Sequence, residues 1–258
     1  MTDAHCHVTG GDPSVREFLI GRDFIGVHPW ECLGGLGGLE SWLRDKLTNP
    51  NIPDSEAPNL PNLLPGVGEI GLDRLKDKNI SPRMREVFES QLRVALEFGR
   101  PVVLHGAKCW GQVVKTIQTF QTFQTSQTSQ TFQTSQTFLF HGFSRSDGLI
   151  PDIVALNGYI SVGPAVLNDH AVNYRELVKK IPLDRLLIET DRTLENAADC
   201  PSVREVAAEV AKLRGLSLSE LEALTDRNAG RFFPNPQSPI PNPQSIIPVP
   251  SICYNTPK

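Results

Sequence analysis

The first residues of the chain carry two histidines at a spacing that suits metal binding. Asp3, His5 and His7 alternate along the sequence, and side chains two residues apart in a β-strand lie on the same face. Two imidazoles beside a carboxylate form half of a metal site. Burying such a pair as plain core would be costly, because both nitrogens of a buried imidazole need a polar partner. An exposed polar edge strand is the plain alternative, and this short motif alone does not separate the two interpretations.

Four further residues of the ligand type stand in or at the end of short apolar segments. Glu69 lies in the glycine-rich segment 66–72, while His105, His141 and Asp191 each close an apolar run. Each alone has a structural alternative: a hydrogen-bonded strand-end histidine, a glutamate paired with an arginine, or an aspartate that caps a turn. Together they favour a metal centre whose predicted ligands are His5, His7, Glu69, His105, His141 and Asp191.

The chemistry of this ligand set is hydrolytic. Imidazoles and carboxylates suit Zn²⁺, Mn²⁺, Mg²⁺ or Fe, and the set is larger than one structural zinc needs. With Glu69 as a bridge, it divides between two ions about 3.5–4 Å apart, an arrangement that clamps both oxygens of a displacement. Such ions acidify water towards a pKa of about 7, and Asp191 is placed to accept its proton. We therefore expect two divalent ions, Mg, Mn or Zn.

The elements that must position these residues are short strands alternating with helices. Seven strands are predicted, several of which end on His, Glu or Asp, as in a parallel α/β barrel whose active-site face is formed by carboxyl strand ends. The stretch from His7 to Phe24 is too short for a full unit, and a short helix capped by Ser14 is expected over 15–20. The predicted fold class is α/β, a distorted TIM-like barrel with one unit reduced. Further helices are predicted over 39–47, 82–98, 108–117, 205–213 and 218–233.

Composition bounds the class of protein. The 258 residues, 39% hydrophobic and 21% charged, fit one soluble globular domain. No run of about 18 apolar residues predicts a membrane span. The five cysteines are scattered along the sequence and odd in number, which favours a reduced, cytoplasmic location over a disulfide framework. A net charge of −4 gives no overall electrostatic signal for nucleic acid, and nothing indicates a stable protein partner.

The barrel is expected to occupy residues 1–233 and to contain a low-complexity insertion. Residues 118–138 are seven Gln-Thr-Phe or Gln-Thr-Ser triplets, whose period of 3 matches neither a helix nor a strand. We expect a surface insertion after a helix that ends near Ile117. Residues 49–65 are predicted to form an irregular loop. The Pro-rich tail 234–258 is predicted to be disordered.

The motifs taken in order resemble those of TatD-type metal-dependent hydrolases, over roughly residues 2–233 without the triplet tract. The resemblance implies a TIM-like barrel of the amidohydrolase superfamily with two divalent metals and deoxyribonuclease activity. It assigns His5 and His7 to one ion and His105 and His141 to the other, with Glu69 as bridge and Asp191 as ligand and base. The matching segments are 3–7, 26–29, 68–73, 101–105, 141–144, 189–191 and 221–233.

The resemblance also suggests contacts to substrate. It implies that His28 faces a phosphate, although a strand-end histidine held by the backbone is an equal alternative. Positions near His105, His141 and Asp191 depart from the family pattern, and basic residues stand close to them. These residues are either phosphate contacts or plain surface charges: Lys108, Arg145 and Arg192.

The expected function is cleavage of DNA phosphodiester bonds, in single strands or from ends. Two alternatives stay open. The same dinuclear centre would hydrolyse another ester or amide, since one fold hosts many chemistries. The second alternative is a non-catalytic protein that keeps the barrel and uses the triplet tract or the tail to bind other molecules. The complete set of predicted metal ligands disfavours it.

Overall fold

Parallel strands form a ring that carries helices on its outside. The computed structural model describes residues 1–32, 37–49, 64–75, 78–127 and 136–234. In these ranges the strands are β1 (Thr2–Cys6), β2 (Arg16–Leu19), β3 (Phe24–Ile25), β4 (Gly66–Asp73), β5 (Val102–Ala107), β6 (Phe138–Phe140), β7 (Gly158–Val162) and β8 (Leu186–Ile188). The helices are α1 (Leu39–Thr48), α2 (Pro82–Glu97), α3 (Trp110–Gln127), α4 (Ile150–Ala155), α5 (Val172–Lys180), α6 (Val203–Arg214) and α7 (Leu218–Phe232).

The strands pair in parallel and in sequence order. One sheet runs from β3 to β8, and β1 pairs with β2 alone. Two sets of backbone contacts join the pieces: a bridge between Ile20 and Phe24, and hydrogen bonds from Asp191 N to His5 O (3.0 Å) and from His7 N to Arg192 O (2.8 Å). The predicted TIM-like α/β fold is confirmed, with a barrel distorted where short connections replace helices.

The helix predicted over 15–20 is wrong, because this segment is strand β2. Thr2 pairs with Arg16 and Asp3 with Glu17, so β2 provides hydrogen-bond partners for the backbone groups of β1. The Glu17 carboxylate does not close a capping box; it accepts hydrogen bonds from Thr9 Oγ1 and Gly10 N, both at 2.6 Å. The described residues therefore contain eight strands rather than seven, and the reduced unit lacks helices on both sides of β2.

The helix expected to end at Ile117 continues to Gln127, so the triplet tract begins as helix. Phe120 is buried and follows Val113 and Ile117 at helical spacing. The hydroxyls of Thr119 and Thr122 donate to carbonyls four residues earlier, both at 2.9 Å. The last triplet, 136–138, is also buried in the fold. Residues 128–135 lie outside the described residues, as do most of the predicted loop 49–65 and the tail from 235.

The predicted starts of α2 and α7 are confirmed, whereas α6 begins at Val203, two residues before its predicted start. Ser81 Oγ accepts a hydrogen bond from Met84 N at the start of α2. Ser202 with Glu205 caps α6, and Ser217 forms the same box in α7. Each box satisfies backbone N–H groups that the first helical turn leaves unpaired. No helix in the described ranges is both long enough and apolar enough to cross a bilayer.

The interior of the barrel changes from apolar to polar along the strands. Val103, Leu139, Tyr159 and Leu187 belong to one buried cluster, together with Phe18, Phe24 and the end of α7. Since side chains of a strand alternate with period 2, the next interior position on each strand lies two residues further on. Those positions hold His105, His141, Ser161 and Glu189. The polar residues therefore lie directly next to this buried apolar cluster, which packs the strands together below the site.

Candidate metal centre

All six predicted ligands meet at the carboxyl ends of the strands, with Glu69 at their centre. Glu69 Oε1 lies 2.6 Å from His105 Nδ1 and 2.9 Å from His141 Nε2. Its other oxygen, Oε2, lies 3.6 Å from Nε2 of both His5 and His7. One buried carboxylate is thus surrounded by four imidazoles from three separate strands and their ends. This position suits a bridging ligand.

Asp191 closes the other side of the histidine pair. Its Oδ1 lies 3.5 Å from His5 Nε2 and 3.6 Å from His7 Nε2. The residue has a φ of 50°, in the left-handed region, and its N–H donates to His5 O where β8 meets β1. Its side chain is 48% exposed, whereas Glu69 is 4% exposed. Asp191 therefore stands between the ligand cluster and solvent.

The cluster fits a bound cation. His5 is fully buried, and neither of its ring nitrogens has a hydrogen-bond partner among the described residues. Buried polar atoms without partners are costly, and His5 Nε2 faces both Glu69 and Asp191 at distances too long for hydrogen bonds. A divalent ion between these groups would satisfy all of them. Among the residues that the structure describes, three sets have ligand atoms within 4.8 Å of one another: His5, Glu69, His141; His5, His7, Asp191; and His28, Glu69, His105.

The pKa shifts of Glu69 and His141 also favour a positive charge within the cluster. Burial alone would raise the pKa of Glu69, but the imidazoles of His141, His105 and His28 outweigh it and hold that pKa well below the usual range. Burial would lower the pKa of His141, whereas the Glu69 and Glu189 carboxylates raise it well above the ordinary value. In the metal-free site a proton on His141 therefore occupies the place that a cation would take.

Asp73 is a functional residue that the sequence reasoning missed. Its Oδ2 lies 2.7 Å from His105 Nε2, and Asp73 is fully buried. With Nε2–H donated to this carboxylate, Nδ1 is the nitrogen of His105 that faces the ligand cluster, and its lone pair would bind a cation there. The signal was its position on the same strand and face as Glu69, four residues further on.

Glu189 supports His141 in a similar way. It is buried and accepts hydrogen bonds from Ser161 Oγ (2.5 Å) and Gly142 N (2.8 Å). One of its oxygens lies 3.5 Å from His141 Nδ1, so His141 Nε2 is the nitrogen that faces Glu69. Glu189 stood in a matching segment of the sequence, two residues before Asp191, and this spacing could have identified it.

Asp3 lies behind the histidines and fastens β1 to β8. Its carboxylate accepts hydrogen bonds from Thr190 N (3.0 Å), Thr190 Oγ1 (2.6 Å) and His5 N (3.3 Å). Burial raises the pKa of Asp3 to about 7, against the effect of these donors. Asp3 is thus a structural support of the motif and its oxygens are directed away from the ligand cluster to Thr190.

The structure shows His28 held by the backbone, while its contact with a phosphate stays a prediction. Its Nδ1 accepts a hydrogen bond from Trp30 N at 3.2 Å, so the backbone does hold the ring. Its Nε2 lies 3.7 Å from Glu69 Oε1, at the edge of the ligand cluster. Because Nδ1 is an acceptor, the neutral ring carries its proton on Nε2. His28 therefore presents a hydrogen-bond donor to the site, which suits contact with an anion.

The three basic residues have different surroundings. Arg145 lines a cavity that reaches Asp191. Lys108 is exposed in the turn after β5 and is not part of that lining. Arg192 donates to the carbonyls of Ala197 (2.7 Å) and Cys200 (3.1 Å). Its guanidinium therefore holds the loop after Asp191.

The cavity beside Asp191 has a volume of about 1040 Å³, enough for several groups of an extended substrate. Its inner end is formed by Glu189, Thr190 and Asp191, and its outer part by Arg145, Lys180 and residues of α5. Through Asp191 the ligand cluster therefore borders a groove whose outer residues are exposed to solvent.

Comparison with known proteins agrees with this site. The family model described as TatD related DNase matches residues 22–234. YabD of Bacillus subtilis, an uncharacterized metal-dependent hydrolase, is 30% identical over 233 residues, 88% of this chain and 82% of that protein. A protein of Cronobacter sakazakii named 3'-5' ssDNA/RNA exonuclease TatD is 26% identical over 185 residues, 67% of this chain and 66% of that protein.

The fold is shared with a solved structure. The crystal structure of YjjV, a TatD homolog from Escherichia coli K12, matches with a TM-score of 0.65 over 88% of this chain and 79% of that chain, at 22% identity. The family match spans most of the sequence, and the identity with YabD extends over a similar length. The chain therefore belongs to the TatD family of metal-dependent hydrolases.

Proposed function

We propose that the protein hydrolyses phosphodiester bonds of DNA, in single strands or from ends. The observation that carries the proposal is the position of Asp191, which lies beside His5 and His7 and also lines the groove. A relative named as an ssDNA/RNA exonuclease supports the substrate class. A polymer substrate also suits an open groove better than a closed pocket does.

Two divalent ions, Mg, Mn or Zn, are assigned to the centre. His5 and His7 would hold one ion and His105 and His141 the other, with Glu69 shared between them and Asp191 as a further ligand. When bound, such ions acidify water and stabilise charge on phosphoryl oxygens. Asp73 and Glu189 orient the rings of His105 and His141, so that the nitrogens facing the centre would offer lone pairs to a bound ion.

Asp191 is the proposed general base. Burial would raise its pKa, but the neighbouring imidazoles of His5 and His141 outweigh this and keep the pKa below the ordinary value. Asp191 is therefore ionised at neutral pH and, being half-exposed, can accept the proton of an attacking water. Its position at the inner end of the groove places that proton acceptor beside the substrate.

His28 and Arg145 are the proposed substrate contacts, with Lys108 at the same rim. The Nε2–H of His28 would donate to a phosphate oxygen near Glu69. Arg145 lines the groove and would contact the backbone of the strand, as guanidinium groups do. The exposed ammonium of Lys108 would add a contact where β5 ends.

The test is cleavage of end-labelled single-stranded DNA with Mg²⁺, Mn²⁺ or a chelator. Wild type should cleave only with metal, and Asp191→Asn should lower the rate by roughly 10²–10⁴-fold, as for loss of a general base. Asp169→Asn, an exposed carboxylate, is the matched control and should cleave normally. No cleavage by wild type that still binds metal would contradict the DNA assignment and favour another ester or amide.

A further inference from the structure

An exposed tryptophan stands at the edge of the ligand cluster. Trp30 is 46% exposed, and its indole lies 4.9 Å from the His28 ring and 6.2 Å from the His105 ring, measured between centroids. His28 and His105 both belong to the set of ligand atoms around Glu69. Nearly half of a large aromatic surface is thus left open to solvent next to the site of chemistry.

The position of this indole is fixed by the backbone. Trp30 lies in a short 3-10 helix, Pro29–Glu31, where Pro29 is buried. The backbone N–H of Trp30 donates to His28 Nδ1 at 3.2 Å, and the backbone N–H of Glu31 donates to His28 O at 2.9 Å. Two local hydrogen bonds and a buried proline therefore fix the backbone of Trp30 beside His28, and its indole packs edge-to-face on the His28 ring. An aromatic ligand would meet a preorganised surface.

We propose that Trp30 stacks on a nucleobase adjacent to the phosphate that is hydrolysed. The inference rests on the proposed function and deepens it, since it names the base as a recognised part of the substrate. A base is joined to its phosphate through one sugar, so a phosphate beside His28 brings a neighbouring base close to the indole. Aromatic side chains bind single strands in this sequence-tolerant way, because every base has a π-face.

The other exposed indole provides a matched control. In the described part of the chain the exposed large apolar side chains include two aromatic ones, Trp30 and Trp42. Trp42 is 40% exposed but lines a separate pocket with Ile25 and Pro65. Pro65 precedes β4 and Asp73 ends it, so that pocket lies at the end of the strand away from the ligand cluster.

The experiment compares wild type, Trp30→Phe, Trp30→Ala and Trp42→Ala on two probes. One probe is a single-stranded oligothymidylate and the other is the same strand with abasic sites at the terminal positions. Dissociation constants are measured by fluorescence anisotropy in chelator, where no turnover occurs, and KM and kcat are measured with Mn²⁺. Thermal unfolding of each variant establishes that it is folded.

Trp30→Ala should raise the dissociation constant and KM for the base-bearing strand by roughly 5- to 100-fold, as for loss of one stacked base. Its kcat should stay within about twofold, Trp30→Phe should keep most of the affinity, and Trp42→Ala should behave as wild type. The abasic strand should bind all four proteins nearly equally.

Equal losses on both probes, or no loss in either Trp30 variant, would overturn the stacking proposal while the nuclease assignment stands. A large fall in kcat with unchanged KM would also overturn it, since Trp30 would then act only by positioning His28. Wild type that neither binds nor cleaves the oligothymidylate would overturn the proposed function and this inference together.

Discussion

Asp73 and His105 are joined by a hydrogen bond of 2.7 Å between Oδ2 and Nε2, and Asp73 is fully buried. This bond fixes which nitrogen of His105 faces the centre, since Nδ1 is then left 2.6 Å from Glu69. Carboxylate–histidine pairs of this kind raise the basicity of a metal ligand and hold its ring.

We predict that Asp73→Asn weakens metal binding by roughly 10- to 100-fold, the usual effect of losing such a partner. The amide cannot accept the Nε2–H as strongly, and it can turn an N–H towards the ring and reverse the tautomer. Isothermal titration with Mn²⁺ measures the change, with Asp184→Asn, an exposed carboxylate, as control. Equal affinities in wild type and Asp73→Asn would show that the bond does not orient the ligand.

Asp3 should contribute to the free energy of unfolding of the metal-free protein. Asp3→Ala removes the acceptor for the buried N–H and hydroxyl of Thr190, and each buried donor left without a partner costs about 1–3 kcal/mol. Urea unfolding in chelator should show this loss. Asp12→Ala, which removes an exposed carboxylate bonded to Ser14, should cost less, and equal losses in the two variants would contradict the role given to Asp3.

The affinity for metal should rise with pH. His141 has a raised pKa because Glu69 and Glu189 outweigh its burial, so in the metal-free protein it keeps its proton to higher pH than a free histidine. A metal ion must displace that proton, and each displaced proton makes the apparent affinity about tenfold stronger per pH unit. Titrations with Mn²⁺ at pH 6 and pH 7 measure this slope, and affinities that do not differ would contradict it.

Much of the site could be predicted because it depends on local pattern and chain order. A histidine or carboxylate at the end of an apolar run lies on the carboxyl rim whenever parallel strands close into a barrel. This rule predicts the positions of His105, His141 and Asp191 from the sequence. The period of 2 likewise placed His5 and His7 on one face of β1.

The remaining features depend on contacts that no local pattern contains. Segment 16–19 is a strand because β1 needs a neighbour, and its own sequence with Ser14 and Glu17 also fits a helix start. The Gln-Thr triplets continue α3 because Phe120 has a buried place in the fold. Arg192 reads as a free surface charge in the sequence, yet the loop after it folds back onto its guanidinium.

The central claim is that the six converging residues hold two metal ions, and anomalous diffraction from crystals soaked in Mn²⁺ tests it most directly. The account predicts two anomalous peaks, one among His5, His7 and Asp191 and one beside His105 and His141, with Glu69 between them. A single peak would contradict the division of the ligands between two ions. The absence of any peak in this cluster would contradict the metal centre itself.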